Sequence, residues 1–290
     1  MKISGFTFVR NGSILGYPYI ESIKSLINLC DEVIVAVGNS DDDTLIQIQQ
    51  LNTTKLKVIE TQWNEVMTDR GYTYAQQKLI AQFNCTGDWS FYLECDEIIH
   101  EKDIPLIRQS LFDNLHNKSV EAFVFNYYHF YGDINTIACS PRWYKKAPRI
   151  IRNNIRSWAP DGLFWLVMDK NKKGRYPNAK LINCYLYHYG HVRLIQNMNE
   201  KNKRVEKYWG KNPTKFETYA NIDPLTLYKF QDSHPKIIEN WLKNNAEQNF
   251  IPNLNYKLSK REKKHRLMMF INKLLKINID WSKKHYKLIK

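Results

Sequence analysis

The sharpest chemical signal in the sequence is the short acidic run Glu94-Cys95-Asp96-Glu97. It follows Trp89 to Leu93, an apolar stretch that reads as a buried strand. In an extended segment, residues i and i+2 point the same way, so Glu94 and Asp96 share a face and Cys95 turns into the core. Two carboxylates at the end of a buried strand repel each other unless a cation lies between or near them. Mg²⁺ and Mn²⁺ take oxygen ligands and commonly keep waters and phosphate oxygens. The competing reading is a strand end carrying solvated acids. A divalent-metal site is favoured by the position of the run in the fourth strand of an alternating pattern.

That pattern fills the first hundred residues. Strands are expected at Ile3 to Val9, Val33 to Val37, Leu56 to Glu60 and Trp89 to Leu93. Helices are expected at Tyr19 to Leu29, Thr44 to Leu51, Tyr72 to Phe83 and Ile104 to Leu115. The run VIVAV is continuous and β-branched, as a strand buried on both faces requires. Strand–helix alternation of this kind predicts a mainly parallel sheet with helices on both faces. Ligands of such sheets bind beyond the carboxyl ends of the strands. Those ends carry Arg10-Asn11-Gly12, the loop Gly38 to Thr44, Glu60 and the acidic run. No GxGxxG follows the first strand, and no phosphate-binding GxxxxGK-Ser/Thr loop is present. After residue 120 the pattern changes, with a long aromatic strand at Ala122 to Tyr131 and another strand at Leu181 to Tyr189. The expected division is 1–120, 121–255 within the same domain, and a tail at 256–290.

Charge sharpens the last boundary. Residues 257–290 contain ten Lys and two Arg against Glu262 and Asp280, a net +10 of the chain's +14. In the tail, Leu267, Phe270, Ile271, Leu274 and Ile277 recur at helical spacing. A basic amphipathic helix of this kind can lie on an anionic membrane surface or pack on the body with a solvated basic face. Because the basicity belongs to the tail, no nucleic-acid partner is expected. Five scattered cysteines without a CxxC pair fit a reducing compartment, and no apolar run reaches bilayer-spanning length. A cytoplasmic protein, peripheral on the inner face of a membrane at most, is expected.

Four motifs in order give a family resemblance. The opening FTFVRNGSILGYPYIESIKSLINLCDEVIVAV, then GNSDDDT, then DRGYTYAQQKLIAQFNCTGDW and finally FYLECDEII resemble the corresponding segments of family 2 glycosyltransferases. FYLECDEII resembles the family's DxD metal-binding motif. The similarity covers residues 3 to 100 well and 140 to 191 loosely. It implies a glycosyltransferase-A-like α/β fold, with the helical basic tail as an addition, and a nucleotide-diphosphate sugar donor. The donor would lie near Phe8, Arg10, Asn39 and Asp42, with Arg70 reaching it from the helix before the fourth strand. Asp96 would hold Mn²⁺ or Mg²⁺, with Glu94 as a direct or water-mediated ligand and His188 completing the site. PRIIRNNIRSWAPDG resembles the segment that carries the family's catalytic base, which places that role on Asp161 and an acceptor contact on Trp158. By their residues alone, Asp161 is equally a Pro-Asp-Gly turn and His188 equally a core histidine. Two departures from the family stand out: Gly38 replaces the first acid of DGSTDGT, and Glu94 replaces the first acid of DxD.

The expected activity is inverting, metal-dependent transfer of a sugar to a hydroxyl of a glycan or lipid-linked acceptor, in surface polysaccharide or lipopolysaccharide synthesis. The alternatives are a sugar-phosphate nucleotidyltransferase and a non-catalytic basic binding protein.

Overall fold

The computed structural model describes residues 1–277, 279–280 and 284–289. Strands β1 (Ile3–Val9), β2 (Glu32–Gly38), β3 (Leu56–Thr61) and β4 (Trp89–Tyr92) alternate with helices α1 (Tyr19–Leu29), α2 (Thr44–Gln49) and α3 (Tyr72–Phe83). The four strands are parallel, in the order β4-β1-β2-β3. A two-residue period sorts their side chains. Val33, Val35 and Val37 of β2 join one core with Ile23 and Leu26 of α1, while Ile34 and Ala36 join another with Ala81 of α3. Helices thus cover both faces, and continuous apolar strands follow from that burial.

Beyond β4 come β5 (Glu97–Ile99), α4 (Ile104–Asp113), β6 (Ala122–Tyr131), β7 (Thr136–Ala138) and β8 (Lys146–Arg152). Strand β8 enters the sheet antiparallel between β4 and β6. The sheet is therefore mixed in its second half and continuous across residue 120. The sequence reading leaves residues 139–155 as a proline-broken stretch without a strand. Pro148 lacks the N–H a sheet ladder needs, and it sits where the β6–β8 register shifts, a place that tolerates proline.

Three short strands, β9 (Ser157–Trp158), β10 (Leu166–Met168) and β11 (Gly174–Arg175), form a separate small sheet. The long β12 (Asn178–His191) then runs parallel to β6 and antiparallel to β5. It leads into α5 (Ile195–Val205), a short 3₁₀ turn at Glu206–Trp209, β13 (Leu227–Lys229) and α6 (Glu239–Asn245). In the tail, α7 (Lys260–Leu274) starts from a Ser259–Glu262 capping box, and β14 (Lys287–Leu288) pairs with β12. The rest of the expected 256–290 segment includes positions outside the described residues. Among those described, no helix is long and apolar enough to cross a membrane.

Candidate active site

The carboxyl ends of β1 and β4 open into a cavity of about 600 Å³. Phe8, Arg10, Glu94, Asp96 and His188 line it together. Glu94, Cys95 and Asp96 stand outside any strand, in a turn between β4 and β5 closed by the Glu97 N–H donating to the Glu94 carbonyl at 3.0 Å. The extended-strand argument therefore does not hold for them. Cys95 is partly buried: it packs against the main core, its thiol donates to the Phe8 carbonyl at 2.9 Å, and it also lines the cavity.

The three acids of the run have different partners. Glu97 is fully buried and takes a two-pronged bond from Arg149 of β8, Nε to Oε2 at 2.8 Å and Nη2 to Oε1 at 2.7 Å. Tyr127 adds a hydroxyl donor at 2.8 Å. Arg149 Nη2 also reaches Glu94 Oε1 at 2.7 Å. Glu94 is thus tied to Arg149, while burial, with Glu97 close by, pushes its carboxyl above the ordinary value. Asp96 faces His188 and Arg193, with Nε2 to Oδ1 at 3.5 Å and Nη2 to Oδ2 at 3.6 Å. Burial works against its ionisation, but nearby positive charge, from His188 when protonated and from Arg193 and Lys201, outweighs that and holds its carboxyl below the ordinary value.

Asp96 and His188 suit a divalent cation. His129 and His188 are register partners on β6 and β12. His129 Nε2 lies 2.8 Å from the Tyr144 carbonyl, which can only accept, so that nitrogen carries the proton. His129 Nδ1, 2.9 Å from His188 Nδ1, then accepts, and His188 donates. What remains is a lone pair on His188 Nε2, set against a carboxylate at 3.5 Å. Burial lowers the proton affinity of both imidazoles, which favours these neutral forms. Gly190 keeps the space between the two donors open. A Cβ there would stand 2.7 Å from His188 Nε2 and 2.9 Å from Asp96 Oδ2. Metal–donor bonds of about 2.1 Å place neighbouring ligand atoms about 3 Å apart, close to the separation seen. A mixed imidazole and carboxylate pair favours Mn²⁺ over Mg²⁺. Among the described residues, no three His, Cys, Asp or Glu side chains are set to hold a metal. The expected trio is thus a pair, with Glu94 drawn off by Arg149.

Other residues singled out from the sequence lie elsewhere. Arg70 is 93% exposed and turned to Asp69, outside the cavity. Asp42 binds the Ile14 N–H at 2.9 Å and the Thr44 N–H at 3.1 Å, bracing one loop against the other. Asn39 is exposed and contributes its carbonyl, which accepts from Arg10 Nε at 2.8 Å. Trp158 sits on the small sheet, away from the cavity wall. Asp161 forms the turn its tripeptide suggests, with Oδ1 accepting from the Leu163 N–H at 2.8 Å. Its successors Gly162 and Leu163 line the cavity.

Further residues complete the walls around Phe8, which the sequence reading named; that reading missed Trp63, Tyr74 and Tyr208. Phe8, Trp63, Tyr74 and Tyr208 form a ring cluster with centroids 5.2 to 6.1 Å apart. Trp63 lies two residues past β3 and could have been found by reading further beyond that strand. It also accounts for Gly38, where a Cβ would fall 2.3 Å from the indole Nε1. Lys201, Lys207 and Arg142 add positive charge to the lining, and burial, followed by Arg193, pushes the Lys201 amine down to about 8. His129 carries no single-sequence signal, because its role depends on strand register.

No family model matches the chain. An uncharacterized glycosyltransferase of Rickettsia felis is 34% identical over 96 residues, 33% of this chain and 29% of that protein. One from Rickettsia typhi is 26% identical over 207 residues, 69% of this chain and 64% of its own length. The chain therefore spans less than two thirds of these curated relatives. A solved glucosyl-3-phosphoglycerate synthase from Mycobacterium tuberculosis, in complex with Mn²⁺, uridine diphosphate and glucosyl-3-phosphoglycerate, is similar at 12% identity. The match covers 71% of this chain and 79% of that one, with a TM-score of 0.39. The chain is a relative of proteins named glycosyltransferases, in keeping with the family 2 resemblance of its motifs.

Proposed function

We propose that this relative of glycosyltransferases moves a sugar from a nucleotide-diphosphate donor to a hydroxyl of a glycan or lipid-linked acceptor, depends on a divalent metal, and inverts the anomeric centre. The observation that supports this most strongly is the convergence of Asp96 and the His188 lone pair on the space left by Gly190. That space opens from a cavity with an aromatic wall and cationic side chains.

The base and ribose of the donor pack against Phe8, Trp63, Tyr74 and Tyr208 near Arg10, since flat rings stack on a base without needing a particular pattern of donors. Lys201 and Arg142 offset diphosphate charge. Asp96 and His188 hold the metal, which when bound stabilises charge on the departing diphosphate. The acceptor oxygen bonds to the anomeric carbon as the bond from that carbon to the diphosphate oxygen breaks. The bonding pair leaves with the diphosphate. Asp161 takes the hydroxyl proton on Oδ2, since Oδ1 is engaged in its own turn. Leu267, Phe270 and Leu274 of α7 are exposed among lysines, which supports peripheral contact with an anionic membrane carrying the acceptor. Surface polysaccharide assembly at the cytoplasmic face fits that placement.

Heat-shift screening with UDP-, GDP-, CMP- and dTDP-sugars, with and without Mn²⁺, tests the proposal. Metal-dependent stabilisation by one nucleotide sugar, with release of its nucleotide on turnover, is expected. Stabilisation only by a nucleoside triphosphate would favour a nucleotidyltransferase, and no response to any nucleotide would favour a binding protein. Asp161→Asn should keep donor binding and lose transfer.

A further inference from the structure

A second cavity of about 430 Å³ lies beside the first and shares Arg142, Tyr144 and Leu163 with it. One side is the body, with Lys146 and Arg149 of β8. The other is the tail helix α7, with Arg261, Lys264, His265 and Met268. Among the described residues, no aspartate or glutamate lines it. Arg149 is neutralised by Glu94 and Glu97. Arg142, Lys146, Arg261 and Lys264 have no ion pair among the described residues. Glu262 and Asp223 line a neighbouring cavity with Arg142 and Arg261, where Glu262 accepts from the Ser259 N–H at 2.8 Å and Asp223 pairs with Arg266 at 2.6 Å.

Four cations without ion pairs among the described residues, Arg142, Arg261 and Lys264 exposed and Lys146 half-buried, repel each other around one concavity, and its concave wall focuses their field. Folding gains nothing from such a grouping, whereas an anion placed in it is attracted by all four. The cavity also has apolar surface in Pro148, Phe164 and Met268, suited to the C–H faces of a sugar ring. We infer that this groove is an anion-binding acceptor subsite, which takes a saccharide bearing a phosphate or carboxylate close to the accepting hydroxyl. The shared wall at Arg142 and Tyr144 leads from such a ligand to the donor cavity. The anion site stands on the groove alone; its role as acceptor subsite rests on the transferase reading. It gives the basic tail a place in substrate recognition, with Arg261 and Lys264 lining the groove and Leu267 and Phe270 outside it.

Met268 lines this cavity and not the first, so its methyl group reports on the groove. The full chain with ¹³C-methyl methionine is titrated with glucose 6-phosphate, with glucose, and with phosphatidylglycerol or phosphatidylcholine vesicles. Glucose 6-phosphate should shift the Met268 methyl saturably, and glucose should not. Arg261→Gln with Lys264→Gln, two exposed changes, should weaken that binding at least tenfold and leave Mn²⁺-dependent nucleotide binding unchanged. An unmoved Met268 methyl, an equal response to glucose, or unaltered affinity in the double variant would overturn the anion site. A response to phosphatidylglycerol vesicles alone would make the ligand a lipid headgroup and overturn the sugar-phosphate assignment. Glucose 6-phosphate binding in a protein that binds no nucleotide would leave the anion site standing and remove its acceptor role.

Discussion

Gly38 ends β2 where the DGSTDGT motif that this segment resembles has an acid, and its replacement gives a quantitative test of the donor wall. A Cβ added to Gly38 would lie 2.3 Å from Trp63 Nε1, 2.7 Å from Trp63 Cδ1 and 3.1 Å from Arg10 Cβ. Relaxing the first contact to an ordinary separation of about 3.5 Å requires the indole to retreat by roughly 1.2 Å. Tyr74 and Tyr208 rings at 5.2 and 5.3 Å oppose that retreat. Gly38→Ala should therefore cost about 2–3 kcal/mol, the upper part of the overpacking range. For a chain of this size that lowers Tm by roughly 3–5 °C. Calorimetry of Gly38→Ala, Trp63→Ala and the double variant gives the coupling directly. With the indole gone, Gly38→Ala should cost well under about 1 kcal/mol, a coupling of about 2 kcal/mol. A neutral Gly38→Ala, or equal costs in both backgrounds, would refute the packing argument. Gly38→Asp should also lose nucleotide binding, because the carboxylate and Trp63 compete for one space.

His129→Phe should weaken Mn²⁺ binding by about 10–100-fold; ¹⁵N spectra of the metal-free wild type should show His188 protonated at Nδ1, and an Nε2–H form would contradict the relay. Arg149→Met leaves Glu94 and Glu97 without their buried counter-charge and should cost about 3–5 kcal/mol in denaturant unfolding; a cost below about 1 kcal/mol would show that the pair is dispensable. Glu32 accepts bonds from Ser4, Thr86 and Lys2, which overcome burial and hold its carboxyl at about 2 in the fold. With a depressed folded value, its stabilisation is present above the unfolded value and disappears as pH falls from about 4.5 to about 2. After solvent screening it is worth about 1–2 kcal/mol, so Glu32→Gln should be less stable than wild type at pH 7 and equal to it near pH 2.

The first four strands and three helices are legible because their periods are strong and their burial two-sided. Val33 to Val37 has no alternative to an inner strand, and α1 shows its buried face in Ile23, Leu26 and Leu29. Strand β8 was hidden because Pro148 argues locally against a strand that the sheet accommodates at a register shift. Glu94 and Asp96 both reach the cavity although the geometry assumed for them differed, since a tight turn can aim both into one cavity as an extended segment would. Arg70 and Asp42 were misplaced for a common reason. Motif position gives the backbone neighbourhood, but side-chain direction depends on local partners, Asp69 for one and the Ile14 and Thr44 amides for the other. His129 lies 59 positions before His188 and meets it through parallel register, a relation that no spacing rule within one sequence conveys.

The central claim is that Asp96 and His188 share one cation at the donor diphosphate. Crystals soaked with Mn²⁺ and the nucleotide diphosphate selected by heat shift, measured at the manganese edge, test it directly. An anomalous peak within about 2.3 Å of both an Asp96 oxygen and His188 Nε2, with diphosphate oxygens beside it, is predicted. Nucleotide density in the cavity with no manganese between these two side chains would contradict it.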